Sequence, residues 1–316
     1  MERKVVSVVV PTFNEIENVD AVAREIINEV VKNLPEYDYE LIFIDNNSYD
    51  GTRDAIRKIC ASNSRVKAIF NLKNFGPDNS PYYGMLQATG DCVILFTADF
   101  QDPLEMIHKM VREWEKGYTV ITAVKKTSQE NAIMRFFRTI YYKVIKKISD
   151  TDIIEHFTGF GLYDRTFMDI LRSLDDPMPF LRGAVAEFSD NRLEMPYEQL
   201  KRRAGKSHIR FMNLYDIAMR SITSYTKIGL RSATVFGFIT ALLSFVVAII
   251  YFIYKITHWD TFSTGVAPVT IGMFFLGAVQ LSFLGLLGEY VMSINLRIMR
   301  RPIVIESERI NFDQKD

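Results

Sequence analysis

Short apolar runs alternate with longer amphipathic segments in the first part of the chain. The apolar runs are rich in β-branched residues and have the length of buried strands, and the early segments between them have helical periodicity. This alternation predicts an α/β fold with a mostly parallel sheet, in which ligands bind at the carboxyl ends of the strands. The predicted strands are Val5–Val10, Glu40–Ile44, Val66–Phe70, Cys92–Phe96 and Thr119–Ala123, and the predicted helices include Asn18–Asn33 and Thr52–Ser62.

Two long uncharged stretches follow in the last third of the chain. Ala233–Tyr254 has 22 consecutive uncharged positions, and Val266–Gly288 is a second stretch of similar length. As a helix, each could cross a hydrocarbon core of ~30 Å. The alternative is a pair of buried core helices, but soluble helices rarely run this far without a charge. The sequence therefore predicts two transmembrane helices.

The charges that flank these stretches predict their orientation. Lys201–Arg231 contains eight Lys or Arg residues and a single acid, whereas the loop between the two stretches has few charges. The positive-inside rule then places both termini in the cytoplasm, below the inner (plasma) membrane. We expect a cytoplasmic catalytic domain with interfacial helices over 1–231, a transmembrane hairpin over 232–292 and a cytoplasmic tail over 293–316.

Ala132–Ile148 is a further amphipathic segment with a basic face. Its apolar residues share one side of a helix and its cations share the other, as in helices that lie in a membrane interface. The alternative is an ordinary surface helix packed on the sheet. Such a helix would not require a run of five cations without an acidic residue. The cations are Arg135, Arg138, Lys143, Lys146 and Lys147.

The overall composition serves mainly to exclude classes of partner and of active site. Lys+Arg and Asp+Glu are both 38, so net charge does not indicate a polyanionic partner. The basic residues border the predicted membrane segments rather than form a stacking groove, which gives no support to nucleic-acid binding. Cys60 and Cys92 have no metal-ligand spacing, and the chain has no P-loop or nucleophile elbow.

Polar residues cluster where three predicted strands end. Ser48 or Asp50 can simply cap the helix at Thr52, but a cap does not explain a carboxylate at the buried position of Asp45. After the fourth strand, carboxylate and amide oxygens are suited to a hard divalent cation, Mg²⁺ or Mn²⁺, although Asp102 before Pro103 can also be a helix cap. The clustered residues are Pro11, Thr12, Asn14 and Glu15 after the first strand, Asp45 and Asn47 after the second, and Asp99, Gln101 and Asp102 after the fourth.

Taken together, these motifs resemble a known family. VVPTFNE, FIDNNSYDGT, LFTADFQDP and RRAGKS occur in this order, and GLLGEY at Gly285–Tyr290 lies near the end of the second uncharged stretch. The set resembles the polyprenyl-phosphate glycosyltransferases of glycosyltransferase family 2 over nearly the whole chain. The resemblance implies a GT-A fold, inverting transfer from a nucleotide sugar such as a UDP-sugar to polyprenyl phosphate for cell-envelope glycans, and a homo-oligomer, with a tetramer favoured.

The resemblance also implies roles for individual residues. Asp99 and Gln101 would bind the metal ion, with Asp99, Asp102 and Arg138 as catalytic residues. Arg135 and Arg138 would meet the acceptor phosphate. The nucleotide sugar would bind to Pro11, Thr12, Asn14, Glu15, Asp45, Asn47, Arg202 and Ser207. The sugar itself is not predicted, although loops such as His156–Gly161 are expected to shape its pocket.

Three positions depart from the family pattern. Thr97 and Asn46 replace usual aspartates, and His208 replaces a usual lysine. The Thr97 change weakens the expectation of tight metal binding but does not abolish the site, because Asp99, Gln101 and the diphosphate can still supply oxygens. Thr97 and Asn46 together keep open a non-catalytic scaffold with a degenerate transferase domain. A processive polysaccharide synthase is the other alternative, but that class usually has more spans and a Q-x-x-R-W motif, which this chain lacks.

Overall fold

The computed structural model describes residues 3–126, 154–189, 191–200, 228–257 and 266–312. The predicted helix Ala132–Ile148 and the motif Arg202–Ser207 lie outside these ranges. The chain divides into two compact units. The larger unit contains the described strands and the shorter helices, and the smaller unit contains two long helices.

The larger unit is built on one sheet, which within the described residues has eight strands in the order β7-β5-β6-β4-β1-β2-β3-β8. Their bounds are β1 Val5–Thr12, β2 Asp38–Asp45, β3 Val66–Asn71, β4 Cys92–Leu95, β5 Val120–Lys125, β6 Phe157–Asp164, β7 Arg192–Tyr197 and β8 Glu306–Ile310. The neighbours β1–β2, β1–β4, β2–β3 and β5–β7 are parallel, and β3–β8, β4–β6 and β5–β6 are antiparallel. The predicted GT-A-like α/β arrangement with a mostly parallel sheet is therefore confirmed.

Helices cover both faces of this sheet. They are α1 Val19–Asn33, α2 Thr52–Ser62, α3 Asn79–Gln87, α4 Glu105–Trp114, α5 Arg165–Leu174 and α6 Leu181–Phe188. Alternate residues of a strand point to opposite faces, so Val8 and Val10 join a core with α1, α2 and α4, whereas Val9 joins a core with α3, α5 and α6. Both faces are buried, which explains why the central strands are continuous apolar runs.

Strand β6 occupies a segment that the sequence analysis treated as a loop. Two glycines interrupt its apolar pattern, and Gly159 has a φ of 103°. At Gly161 a Cβ would lie 2.5 Å from the carbonyl oxygen of Ile121 on β5. The glycine is therefore needed for β5 and β6 to approach each other. Because the same glycine interrupts the apolar pattern, the sequence does not predict this strand.

The C-terminal residues return to the larger unit as β8, at the edge of the sheet beside β3. Glu308 accepts hydrogen bonds from Arg57 of α2, at 3.1 Å from Nε and 2.7 Å from Nη2. Beyond the strand, the Asn311 amide donates to the carbonyl oxygens of Cys60 and Val66. The division into 1–231, 232–292 and 293–316 stays a prediction, but residues of the expected tail form part of the sheet.

The smaller unit contains α7, Ile228–Thr257, and α8, Val266–Ile298. Within the described residues, one segment is long and apolar enough to cross a membrane, Phe275–Ile298 of α8. The apolar segment found in α7, Thr234–Val247, is shorter. Large side chains such as Phe238 and Leu281 are exposed. One of the two predicted spans thus meets the criteria of length and composition, and the second is not confirmed.

Candidate active site

The carboxyl ends of β1, β2 and β4 lie side by side. Thr12 at the end of β1 pairs with Asp45 at the end of β2, and Val9 pairs with Leu95 of β4 on the other side. The strand order reverses at β1, because β2 and β3 lie to one side and β4 to the other. In open α/β sheets, ligands bind in the crevice at such a point. The three predicted motifs therefore meet at the expected position.

The loops that follow β1 and β2 are interlocked by hydrogen bonds. The backbone N–H of Asn14 donates to Oγ of Ser48 at 2.8 Å, and the N–H of Tyr49 donates to Oδ1 of Asn14 at 3.0 Å. The N–H of Glu15 donates to Oγ1 of Thr52 at 2.9 Å. These contacts hold the loops as one unit, with Pro11, Asn14, Glu15 and Asn47 half-buried. Such a surface is preorganised for a ligand.

Asp45 is fully buried beneath these loops. Its carboxylate accepts from the backbone N–H of Ser48 at 3.0 Å and from the Ser48 hydroxyl at 2.5 Å, and Arg53 Nε lies 3.3 Å from Oδ1. Burial raises the pKa of Asp45, although the hydrogen bonds from Ser48 oppose this shift. The side chain thus fixes the turn after β2. Asp50, by contrast, accepts from the N–H of Thr52 at 3.0 Å at the start of α2, whereas the N-cap position itself is Gly51.

Asn46, which replaces a usual aspartate of the family, has both ends of its amide engaged. Its oxygen accepts from the N–H of Phe75 at 2.8 Å and from the amide of Asn71 at 3.1 Å. Its nitrogen donates to Oδ1 of Asn74 at 2.9 Å and to the carbonyl oxygen of Gly76 at 3.1 Å. An aspartate could not make the last two contacts, because an ionised carboxylate only accepts. The side chain of Asn46 therefore fixes the conformation of the loop after β3.

The loops after β1, β2 and β4 each contain a non-glycine residue with φ in the left-handed region. The φ values are 56° at Asn14, 67° at Asn47 and 56° at Phe100. Asparagine tolerates this conformation, but a bulky residue such as Phe100 adopts it at a cost of ~1–3 kcal/mol. Strain of this kind persists where the surrounding structure enforces it, often at a functional site. At Phe100 it turns the chain directly after Asp99.

Asp99 is nearly buried in the loop after β4, with 7% of its surface exposed. Its Oδ1 accepts from the backbone N–H of Gln101 at 3.2 Å. Within the described residues, no cluster of three His, Cys, Asp or Glu side chains could hold a metal ion alone. Mg²⁺, however, is usually bound through one or two carboxylates together with substrate phosphates. The residues present fit an ion that shares its coordination with a diphosphate.

Asp102 is also buried, but it faces protein donors. Its carboxylate accepts from the Thr97 hydroxyl at 2.7 Å and from the Tyr197 hydroxyl at 2.6 Å. Burial raises the pKa of Asp102, and these two hydrogen bonds reduce the shift. It is not a cap, because α4 begins only at Glu105 and has no side-chain cap. Thr97, which replaces the family's other aspartate, thus serves as a donor to Asp102.

Sequence analysis missed Tyr197 and Arg53. Tyr197 lies 95 positions after Asp102, and no motif spacing relates the two. Three residues later, the N–H of Leu200 donates to the carbonyl oxygen of Gln101 at 2.9 Å. The chain that leads to Arg202 is therefore attached to the Asp99 loop. Arg135, Arg138, Arg202 and Ser207 themselves lie outside the described residues, and their roles stay predictions.

A profile described as Glycosyl transferase family 2 matches residues 7–171, just over half of the 316-residue chain. The chain belongs to glycosyl transferase family 2. The match begins in β1 and ends in α5, so it includes all three strand ends described above.

Relatives of this family 2 chain align over almost its full length. The putative glycosyltransferase CsbB of Bacillus subtilis is 29% identical over 316 residues, which cover 100% of this chain and 95% of the relative. The bactoprenol glucosyl transferase of Shigella phage SfII is 29% identical over 312 residues, 97% of this chain and 99% of its own. A solved structure, the mannosyltransferase PcManGT of Pyrobaculum calidifontis, is 16% identical with a TM-score of 0.45, covering 95% of this chain and 88% of that one.

Proposed function

We propose that this family 2 chain transfers a sugar from a nucleotide sugar, specifically a UDP-sugar, to polyprenyl phosphate at the cytoplasmic face of the membrane. The observation that carries the proposal is the junction of the β1, β2 and β4 loops, where a preorganised polar surface meets Asp99. The polar surface would bind the nucleotide, and Asp99 would hold the metal ion at its diphosphate, so the two must lie side by side. The acceptor class is supported by the relative named bactoprenol glucosyl transferase.

The reaction requires little acid–base chemistry from the protein. An acceptor phosphate oxygen attacks C1 of the sugar, the bond from C1 to the donor diphosphate breaks, and a nucleoside diphosphate leaves with its electron pair. In-line attack inverts the anomeric configuration. A phosphate monoester is already ionised near pH 7, so no strong base is needed. The protein must instead align the acceptor and balance the charge that develops on the diphosphate.

The residues have distinct roles in this proposal. Asp99 and Gln101 would hold Mg²⁺ or Mn²⁺, which supplies charge neutralisation at the departing diphosphate. Asp102 acts by orienting this loop through Thr97 and Tyr197, since its carboxylate already accepts from both. Donor contacts come from Pro11, Asn14, Glu15, Asn47, Arg202 and Ser207, and the buried Thr12 and Asp45 hold the donor site from beneath. Acceptor phosphate contacts come from Arg135 and Arg138, whose planar guanidinium matches phosphate.

The membrane arrangement is part of the same proposal. Two spans hold the chain in the inner membrane with both termini and the catalytic unit in the cytoplasm, and the chain assembles as a homo-oligomer, a tetramer. Support for the membrane arrangement comes from the cation-rich flanks and from the apolar length of Phe275–Ile298, and the tetramer rests on the family resemblance alone. Accessibility of single cysteines placed on each side of α8 to a membrane-impermeant reagent would test the orientation.

The test of activity is a screen of nucleotide sugars with undecaprenyl phosphate, in detergent, with and without EDTA. We expect one nucleotide sugar to give a lipid-linked product, and Asp99→Ala to reduce turnover ~10³-fold, because it removes charge beside the diphosphate rather than core volume. Asp91→Asn is the matched control at the opposite end of β4, where Asp91 accepts from the N–H of Val5 at 2.7 Å. An amide oxygen still accepts this bond, so turnover should persist.

Other results would favour other functions. A polymer that grows without lipid phosphate would support a processive synthase. Absence of nucleotide and metal binding in the wild-type chain would support a non-catalytic scaffold. Wild-type turnover in Asp99→Ala would contradict the role of Asp99.

A further inference from the structure

The contact between β3 and β8 contains an irregularity close to the end of β3. Phe70 pairs with Glu308 and Asn71 pairs with Glu306, so Ser307 is an extra residue on the β8 side. A β-bulge of this kind re-aims a side chain, and bulges are over-represented next to active sites. The Ser307 hydroxyl donates to the carbonyl oxygen of Phe70 at 2.9 Å. The bulge thus turns Ser307 toward the strand end of β3.

The hydroxyl of Ser307 also receives Arg53, which lies in the first turn of α2. Nη2 of Arg53 donates to Ser307 Oγ at 2.8 Å and to the carbonyl oxygen of Asn71 at 3.2 Å. The same guanidinium extends to the β2 loop, where Nη1 donates to Oδ1 of Asn47 at 3.3 Å and Nε lies 3.3 Å from Oδ1 of Asp45. A single side chain therefore joins β8 to two residues of the candidate donor site.

We propose that Arg53 is a positioning residue of the donor site and that Ser307, presented by the bulge in β8, holds it in place. The inference rests on the proposed function, because it assumes that the Asp45–Asn47 loop contacts the nucleotide. Ser307 accepts one of the guanidinium hydrogen bonds, and the planar fork then leaves few orientations for the other nitrogens. Loss of the hydroxyl would let the guanidinium rotate away from Asn47 and Asp45.

The same two elements contain a matched contact that does not reach the site. Arg57 lies one turn after Arg53 on α2, and both guanidinium groups stack on the ring of Phe70, at 4.8 Å and 5.1 Å from its centre. Arg57 pairs with Glu308, the residue after Ser307, at 2.7 Å. Arg57 also pairs with Asp54, which lies on α2 itself. A variant of Glu308 therefore loosens β8 while leaving the hydrogen bonds of Arg53 to Ser307, Asn71 and Asn47 in place.

The test uses the full-length protein and measures UDP affinity by calorimetry, the KM and kcat for the active nucleotide sugar, and the unfolding temperature. We expect Ser307→Ala to raise the Kd and KM ~5-fold, the net size of one typical hydrogen bond, with kcat within about twofold. Ser307→Thr keeps the hydroxyl and should restore both values. Glu308→Gln should lower the unfolding temperature and leave the Kd and KM unchanged.

A double variant separates positioning from a general effect on the strand. If Ser307 acts through Arg53, then Ser307→Ala should add no further loss of UDP affinity to Arg53→Lys, which keeps the charge but lacks the fork. Additive losses, or equal losses in Ser307→Ala and Glu308→Gln, would overturn the inference while leaving the proposed function intact. If the wild-type chain bound no nucleotide sugar, both proposals would fall together.

Discussion

Asn46 and Thr97 replace usual family aspartates, and both have protein partners that an aspartate could not keep. Asn46 donates to Asn74 and Gly76, and Thr97 donates to Asp102. A carboxylate at position 97 would lie against the buried carboxylate of Asp102, and two like charges at that distance cannot both stay ionised. The two departures therefore belong to the local hydrogen bonding of this chain, which sequence comparison with the family pattern alone does not reveal.

At this scale we predict that Asn46→Asp destabilises the protein by ~1–3 kcal/mol, because a carboxylate would face the oxygens of Asn74 and Gly76 in a buried place. Unfolding followed by intrinsic fluorescence in detergent would measure the loss. Asn47→Asp is the control, since its oxygen still accepts from Arg53 and the side chain is only half-buried. Equal stability of Asn46→Asp and the wild type would contradict the role given to Asn46.

At the scale of elements, the central strands owe their stability to more than apolar contact. Glu40 of β2 is 4% exposed and accepts from Ser7 of β1 at 2.5 Å, from Lys67 of β3 at 2.6 Å and from the N–H of Thr89 at 2.9 Å. Burial opposes its ionisation, but these hydrogen bonds outweigh burial and lower the pKa of Glu40. This network joins three strands at the end of the sheet opposite the candidate site.

We predict that Glu40→Gln costs ~2 kcal/mol near neutral pH, because Lys67 loses its counter-charge. Since the folded pKa of Glu40 is lowered, its contribution is complete above the ordinary value of 4.5 and disappears as the pH falls through the folded pKa. The difference between variant and wild type should therefore shrink below pH 4.5. Unfolding temperatures from pH 7 to pH 3 would measure it.

The control for this prediction is Glu105→Gln. Glu105 forms a surface pair with Lys109 at 2.7 Å, and its side chain is 63% exposed. Such pairs contribute ~0–1 kcal/mol, so this variant should have nearly the same unfolding temperature as the wild type at every pH. A Glu40→Gln difference that stayed constant down to pH 3 would contradict the assignment to ionised Glu40.

Strands β1 to β5 could be predicted because burial on both faces makes them apolar runs with clear ends. The edge strands β7 and β8 could not, since RLEMPY and ESERI are polar and pair with strands that are distant in sequence. The same limit applies to the site. Asp99 stands at the end of a recognisable strand, whereas Tyr197 and Arg53 reach the site through pairings that only the folded sheet creates.

At the scale of the whole molecule, the proposed acceptor is a lipid phosphate, and on that proposal the membrane and the active site use neighbouring residues. The basic helix predicted at Ala132–Ile148 lies outside the described residues, and its sequence allows two hypotheses. As a membrane anchor, its cations would act interchangeably, each contributing ~1 kcal/mol at an anionic surface. As an acceptor clamp, one arginine would need its bidentate fork.

We predict that Arg138→Lys lowers transfer to polyprenyl phosphate at least ~10-fold, about 1.4 kcal/mol, because lysine keeps the charge but loses the fork. Lys146→Ala and Lys147→Ala are the controls and should change transfer little. Kinetics with saturating nucleotide sugar and varied lipid phosphate would measure all three. Equal small losses would mean that the helix is an anchor, and the acceptor phosphate would then be sought near Arg135 or Arg202.

The position of β8 has a consequence for biogenesis. Its partner β3 ends at Asn71, but the ribosome must still synthesise α7 and α8 before Glu306–Ile310 can emerge. At ~5–20 residues per second, the nascent chain exposes the open edge of β3 for a time on the order of ten seconds or more. An open strand edge is a template for pairing with other chains. Synthesis of both long helices therefore comes before closure of the sheet, and chaperones that shield strand edges should matter most for this protein during its own translation.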